Sequence, residues 1–336
     1  SPLGWYSWRE AVRDYEKAKD QGEQALKAWT NTVLGEPWSD SAETPDWEAL
    51  YKRREPYARG TVPVDGVVLT AGVDIQRDRI ECEVVAWGPR MESWSVDYVV
   101  IPGDTSTIQT DPAKACPWRD LGALLRKEWP MSGGGRVPIL RAAVDSGDQT
   151  ATVYQWVREQ RDGRILAVKG RDVQSSILGI PTPQDVTVRG RRVRRGIKLW
   201  GVGVSVAKSE LYGWLRHENP EEGDEPPRGL CHWPEYGESY FLSLTAEELQ
   251  YTTLRGFRKA QWVKVRPRNE VLDCRVYARA AAASLGVERW DSDDWAVRRV
   301  RVEKLMKPHK PDESEAVSEP LPTKKKRSGS WLADYR

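Results

Sequence analysis

The sequence predicts an α/β protein built on a mixed central sheet, and three observations carry that prediction. Three strand-like runs follow one another with short polar links between them. Further apolar runs then alternate with helix-like stretches, and two of the strand-like runs end in an aspartate. The composition agrees: of 336 residues, 39% are hydrophobic and 30% charged, which suits a globular chain with a moderately sized core.

Residues 5–34 read as helix, with Trp8, Val12, Tyr15, Ala18, Ala25 and Trp29 near helical spacing. Residues 35–66 are rich in Pro, Asp, Glu and Arg and read as a linker holding one short helix near Trp47–Arg54. Residues 1–66 therefore form a leading segment that docks on a core beginning near Val67. Val67–Asp74 is a β-rich run ending in a carboxylate. Ile80–Gly88 alternates Ile80, Cys82, Val84 and Ala86 on one face with Glu81 and Glu83 on the other, and Ser93–Ile101 alternates again. Short polar connections make these three an antiparallel meander. Trp118–Trp129 reads as a helix broken by Ser132-Gly133-Gly134-Gly135. Pro138–Asp145 is a buried strand ending in a second carboxylate, Thr150–Arg161 a helix, and Arg164–Gly170 another strand. The order β-β-β-α-β-α-β is that of the RNase H-like fold, an antiparallel trio followed by parallel strands separated by helices.

Residues 171–195 read as a loop or hairpin, Ile197–Val206 as a strand and Ala207–His217 as a helix. A Pro/Glu-rich loop over 218–228, a short strand at Leu230–Trp233, a helix near Thr245–Leu249 and a basic hairpin at Gly256–Arg266 follow. The last strong element is an alanine-rich helix over Asn269–Leu285. The core domain thus spans 67–290, and 291–336 reads as a charged, disordered tail.

Several function classes are excluded. Cys82, Cys116, Cys231 and Cys274 form no CxxC pair and only three histidines accompany them, which argues against structural zinc. Isolated thiols point to a reducing compartment. No run approaches the roughly 20 apolar residues of a membrane span. There is no GxxxxGK[ST] phosphate loop, and His217, His232 and His309 complete no Ser-His-Asp set. The opening Ser1-Pro2-Leu3-Gly4, without a start methionine, reads as a fragment or processed product. The net charge of +2 says less than its distribution, with basic clusters at Arg189–Arg195, Arg255–Arg268 and Lys324–Arg327. Each cluster fits phosphate binding or an ordinary solvated surface. Most of the 17 tryptophans, Trp87, Trp94 and Trp156 among them, fall on element faces and read as core.

Three aspartates stand out by position. Asp74 and Asp145 end buried strands, and Asp273 sits in the first turns of the last helix. Ionised carboxylates at the margin of an apolar core need positive compensation. Carboxylate-only clusters favour Mg²⁺ or Mn²⁺, and two such ions support phosphodiester hydrolysis. Taken singly, each aspartate also fits a helix cap or a turn. Lys169 and Lys208 are either phosphate contacts or exposed surface lysines. Arg266 and Arg268, just before the last helix, are candidate DNA contacts, and Glu270 is an extra ligand or a first-turn acid on the helix dipole.

Certain stretches are more specific. Asn31-Thr32-Val33-Leu34-Gly35-Glu36-Pro37-Trp38, Leu69-Thr70-Ala71-Gly72-Val73-Asp74, Trp87-Gly88-Pro89 and Glu92-Ser93-Trp94 resemble the C-terminal nuclease domain of the large terminase subunit of lambda-like tailed bacteriophages. So do Asp145-Ser146-Gly147, Val168-Lys169-Gly170, Ala207-Lys208 with Leu211-Tyr212, Leu244-Thr245-Ala246-Glu247 and, most specifically, Arg268-Asn269-Glu270-Val271-Leu272-Asp273-Cys274 with Val276-Tyr277-Ala278. The resemblance covers roughly 25–290. It implies a Mg²⁺- or Mn²⁺-dependent endonuclease that cuts concatemeric double-stranded DNA during packaging, in the host cytoplasm. Asp74 and Asp273 would hold one ion, Asp74 and Asp145 the other. It also implies an ATPase domain in the same polypeptide, a small terminase subunit and the portal of a procapsid as partners. The basic run Arg189–Arg195 and the tail depart from the resemblance. Other readings are a resolvase- or integrase-type RNase H-like nuclease and a non-catalytic module docking on DNA or portal.

Overall fold

The leading segment is helical because its ends are marked by residue type. α1 (Trp8–Gln21) starts at Ser7, whose side chain pairs reciprocally with that of Glu10, and stops at Gly22, where φ is +98°. α2 (Glu23–Trp29) leads into a π turn over Thr30–Leu34. Asp46 caps α3 (Trp47–Lys52), which buries Leu50. The computed structural model describes residues 6–34, 44–188, 190–221, 223–254 and 257–306. Arg189, the turn Arg255-Gly256 and the basic run Lys324–Arg327 of the sequence analysis lie outside them.

After α3 the chain runs as a strap to the sheet. The Arg54 guanidinium donates to the Tyr236 carbonyl (2.8 Å), the Tyr57 hydroxyl to the Ser95 carbonyl (2.9 Å), and Arg59 pairs with Asp97 (2.8 Å). Residues 54–59 are thus held by named contacts.

The meander is β1 (Val68–Ile75), β2 (Arg79–Trp87) and β3 (Ser93–Pro102), paired antiparallel. α4 (Pro117–Arg126) follows, then a small hairpin of β4 (Glu128–Pro130) and β5 (Arg136–Pro138). β6 (Arg141–Asp145), α5 (Thr150–Gln160) and β7 (Ile165–Arg171) make the next crossover. β8 (Thr182–Val188) and β9 (Arg191–Gly203) form a long antiparallel hairpin, with β9 parallel to β7. α6 (Val204–Leu215), β10 (Cys231–His232), α7 (Glu238–Leu244), the hairpin β11 (Glu247–Leu254) and β12 (Phe257–Lys264), α8 (Glu270–Leu285) and α9 (Ser292–Met306) complete the chain. The main sheet has eight strands in the order β10-β3-β2-β1-β6-β7-β9-β8. β1, β6, β7 and β9 run parallel through its centre. The protein is a mixed α/β structure with this sheet flanked by helices, α8 packing on β1, β2 and β6, and α4 and α5 on β2, β3 and β7.

Four expectations need correction. The helix expected near Thr245–Leu249 ends earlier: α7 closes at Leu244, where the Thr245 hydroxyl and N–H both donate to the Phe241 carbonyl, and Glu247 already starts β11. α4 stops at Arg126, because Trp129 is taken into β4 and buried there. α6 begins at Val204, three residues before the expected start. The stretch 291–336 is not uniformly tail. α9 forms over Ser292–Met306 and buries Trp295 and Val302, and only 307–336 lie outside the described residues.

Candidate active site

β1 and β6 pair in parallel with Val73 opposite Val144, so Asp74 and Asp145 end neighbouring strands side by side on one face of the sheet. Gly72 is on that face too, and α8 rests directly upon it. A Cβ at Gly72 would stand 1.8 Å from the Cys274 carbonyl oxygen and 2.3 Å from the Ala278 nitrogen. Beside it, the Thr70 hydroxyl donates to the Ala278 carbonyl at 2.9 Å. The glycine is therefore required by close approach. That approach brings Asp273, in the first turn of α8, over the two strand ends.

The three aspartates feel one another through a dry environment. Burial pushes the Asp74 carboxyl up to about 7, with Asp273, Asp145 and Glu270 adding repulsion, while a 2.6 Å hydrogen bond from the Gln76 amide opposes the shift. Burial likewise raises Asp145 to about 6, against a hydrogen bond from the Gly147 N–H (3.1 Å) and with Asp273 adding to the rise. Asp273 is raised by burial and by Glu247, and restrained by Lys208. The Asp145 Oδ1 atom is buried without a hydrogen-bond partner, although Tyr277 lies close enough to favour its charge.

Donor chemistry here fits a hard divalent cation: the groups are all carboxylates, and a buried oxygen keeps its lone pairs unspent. The closure of a coordination shell is not preformed. Among the described residues, no three His, Cys, Asp or Glu side chains are arranged to hold a metal. The reason is visible in the hydrogen bonds. Asp273 turns to Lys208 (3.4 Å) and Asn269 (2.8 Å), and Asp74 turns to Gln76.

Lys208 is not an exposed lysine. It is buried and donates to both oxygens of Glu247 at 2.7 and 2.8 Å, beside Asp273. Burial alone would lower its pKa, and the charges of Asp273 and Glu247 outweigh that and raise it. Glu247, which the sequence reading passed over, is buried and also accepts from Asn269 at 2.8 Å. Glu270 is buried too, but both its oxygens are engaged, one by Arg79 (2.6 Å) and the other by Arg268 (3.3 Å). Arg79 and Arg268 also meet on Glu81, each at 2.6 Å. Glu81 faces Asp74 across the β1–β2 ladder and is fully buried, although the sequence reading saw it only as the polar face of its strand. Arg266 donates to the carbonyl and hydroxyl of Thr245. Lys169 is not brought to the cluster: Val168 pairs with Asp145, so the next side chain along β7 points to the opposite face.

Comparison with known proteins identifies the family. Residues 1–295 match the family described as terminase large subunit gpA, endonuclease domain. The chain is 33% identical over 299 residues to the terminase large subunit of Escherichia phage lambda, covering 85% of this chain and 43% of that protein. It is 31% identical over 309 residues to the terminase large subunit of Enterobacteria phage P21, covering 90% of this chain and 44% of that protein. The chain thus spans less than half the length of these relatives. No solved structure matches it.

Proposed function

The chain belongs to the family of terminase large subunit endonuclease domains, and from that premise we propose that Asp74, Asp145 and Asp273 form its phosphodiester-hydrolysing centre. The observation that carries this reading is the convergence of two buried carboxylates, Asp74 and Asp145, and the half-buried Asp273, all with raised pKa values, at the ends of two parallel strands and one helix. Such a cluster is costly without positive charge. We assign Mg²⁺ or Mn²⁺ to it, Asp74 and Asp273 holding one ion and Asp74 and Asp145 the other. When bound, such ions supply a water nucleophile at neutral pH and offset the charge gathering on the phosphate oxygens.

The chain's own residues prepare that chemistry. Gln76 holds one oxygen of Asp74, Gly147 one of Asp145, and Asn269 one of Asp273, which fixes the orientation of each carboxylate. Lys208 neutralises Asp273 and Glu247, which keeps the metal-free cluster folded. Arg268, more than half exposed, and Arg266 stand at the mouth of the cluster as phosphate contacts. In this reading 67–290 is an RNase H-like nuclease unit, supported by the strand order and the placement of α8. Residues 1–66 lead into it from an ATPase domain of the longer polypeptide. The substrate is concatemeric double-stranded DNA in the host cytoplasm, with the small terminase subunit and the portal as partners.

Plasmid cleavage by the purified chain with Mn²⁺, Mg²⁺ or EDTA tests the reading. Wild type should nick or linearise the plasmid only with metal, and Asp145→Asn should not. Equal cutting by both proteins would overturn the site.

A further inference from the structure

The β8–β9 hairpin is longer than the sheet it belongs to. β9 pairs with β7 only from Leu199 onward, whereas its partnership with β8 reaches back to Arg191. The outer part of the hairpin therefore overhangs the sheet, at the end where the parallel strands begin. The aspartates lie at the other end. Register gives the distance: Asp145 is level with Val168 in β7, and Val168 with Trp200 in β9. β9 bulges opposite Asp185, with Arg195 at φ +50°, so the span is counted along β8: six residues from Thr182 to Val188, plus one from Leu199 to Trp200, or roughly 23 Å at about 3.3 Å per residue.

The overhang is basic on both faces. Arg191, Arg192, Arg194 and Arg195 are all exposed; alternation divides Arg191 from Arg192, and the bulge at residues 194–196 splays the other two outward. Arg191 also lines a cleft of about 530 Å³ against the end of α5, together with Arg158, Arg161 and a single acid, Glu159. Arg192 is answered by Asp185 at 2.7 Å. Among the described residues, Arg161, Arg191 and Arg194 have no side-chain partner. Unpaired guanidinium groups on a narrow two-stranded ribbon match a nucleic-acid groove in width and a phosphate backbone in charge.

We propose that this hairpin and the end of α5 form a second DNA-backbone contact, separate from the cutting centre. It rests on the nuclease reading above. At about 3.4 Å per base pair, roughly 23 Å is about seven base pairs, within one helical turn. A duplex lying along the parallel strands would then reach both the hairpin and the cutting centre within a single turn. The contact would hold DNA in place without reading its sequence.

The test is fluorescence anisotropy of a labelled 30-base-pair duplex with the full chain in EDTA, across a salt series, plus cleavage in Mn²⁺ at saturating DNA. The triple variant Arg161→Gln/Arg191→Gln/Arg194→Gln should lower the slope of log affinity against log salt by about 2–3, at about 0.9 per lost phosphate contact. Its cleavage rate at saturation should equal wild type. Arg194→Glu alone, on an exposed ribbon, should lower the slope by about 1 and guards against misfolding of the triple variant. An unchanged slope in both variants, with wild type binding and cutting normally, would overturn this contact and leave the nuclease reading intact. A well-folded wild type that neither binds nor cuts duplex would overturn both.

Discussion

Replacing Asp74 by asparagine should stabilise the metal-free protein while abolishing its cleavage. In the unfolded chain this carboxyl titrates near its ordinary 3.8, and in the folded protein near 7, because burial and the neighbouring aspartates disfavour its charge. From about pH 4 upward the unfolded state sheds a proton that the folded state retains until about pH 7. Folding is therefore penalised by about 1.4 kcal/mol per pH unit across that window, reaching a ceiling of about 4 kcal/mol above it. Part of the ceiling is repulsion shared with Asp273 and Asp145, so a gain of about 2–4 kcal/mol is expected for Asp74→Asn at pH 8. At about 2–4 °C per kcal/mol, that raises Tm by roughly 5–15 °C. Thermal melts in EDTA at pH 4, 6 and 8 follow the effect. The gain should be near zero at pH 4, grow through pH 6 and level off by pH 8. Added Mn²⁺ should then raise the wild-type Tm at pH 8 and leave the variant nearly unmoved. A variant no more stable than wild type at pH 8, or a gain equal at pH 4 and pH 8, would refute the argument that this carboxylate is buried against its own charge.

Gly72→Ala should cost about 3 kcal/mol in urea unfolding and abolish cleavage, because its methyl group meets the α8 backbone at Cys274 and must push the helix off the strand ends. An alanine variant with wild-type stability and activity would mean that α8 does not dock so closely. Lys208→Met should cost about 3–5 kcal/mol by leaving Asp273 and Glu247 buried without their cation, and adding Glu247→Leu should recover much of that loss; an unchanged urea midpoint in the single variant counts against it. His232 bridges Glu55 of the leading strap and Glu92 of the sheet. Burial works against its charge, but the two carboxylates prevail and raise its pKa. Its contribution is thus complete below about pH 6.5 and disappears as pH rises through the raised folded value. Amides of residues 53–62 should exchange faster at pH 9 than at pH 6 after correction for intrinsic rates, and His232→Gln should erase that difference.

Asp74 and Asp145 were legible because a strand that ends in a carboxylate announces both the strand and the end, and Asp273 because it interrupts a stretch otherwise heading for the core. The parallel pairing that sets Asp74 beside Asp145 follows from the element order. Glu81 and Glu83 were legible only as the other face of an alternating strand. Alternation separates two faces but does not say what covers each, and here α8 covers the face that carries them. Their compensating cations, Arg79 with Arg268 and then Arg275, come from a neighbouring residue and from α8 and the residue just before its cap, about 190 residues onward, a pairing no local pattern encodes. Glu247 was hidden for a similar reason. The stretch around it looked helical, yet Thr245 caps α7 and turns the chain into β11, which aims the carboxylate at Lys208.

These two layers of charge divide the acids of the cluster by their freedom. Glu81 and Glu270 are held by arginines, whose planar forks engage several oxygens at once and lose little by staying. Asp273 is held by a lysine at 3.4 Å and by a neutral amide, and Asp145 keeps an oxygen with no partner at all. A divalent cation competes with a single ammonium far more readily than with a pair of guanidinium groups. On the proposed reading the acids left to bind metal are Asp74, Asp145 and Asp273; Glu247 differs from Asp273 in having both oxygens taken by Lys208, at 2.7 and 2.8 Å. Glu270, the extra candidate in the same helical turn as Asp273, serves instead to anchor the start of α8 against β2, which fixes the height at which Asp273 meets the strand ends.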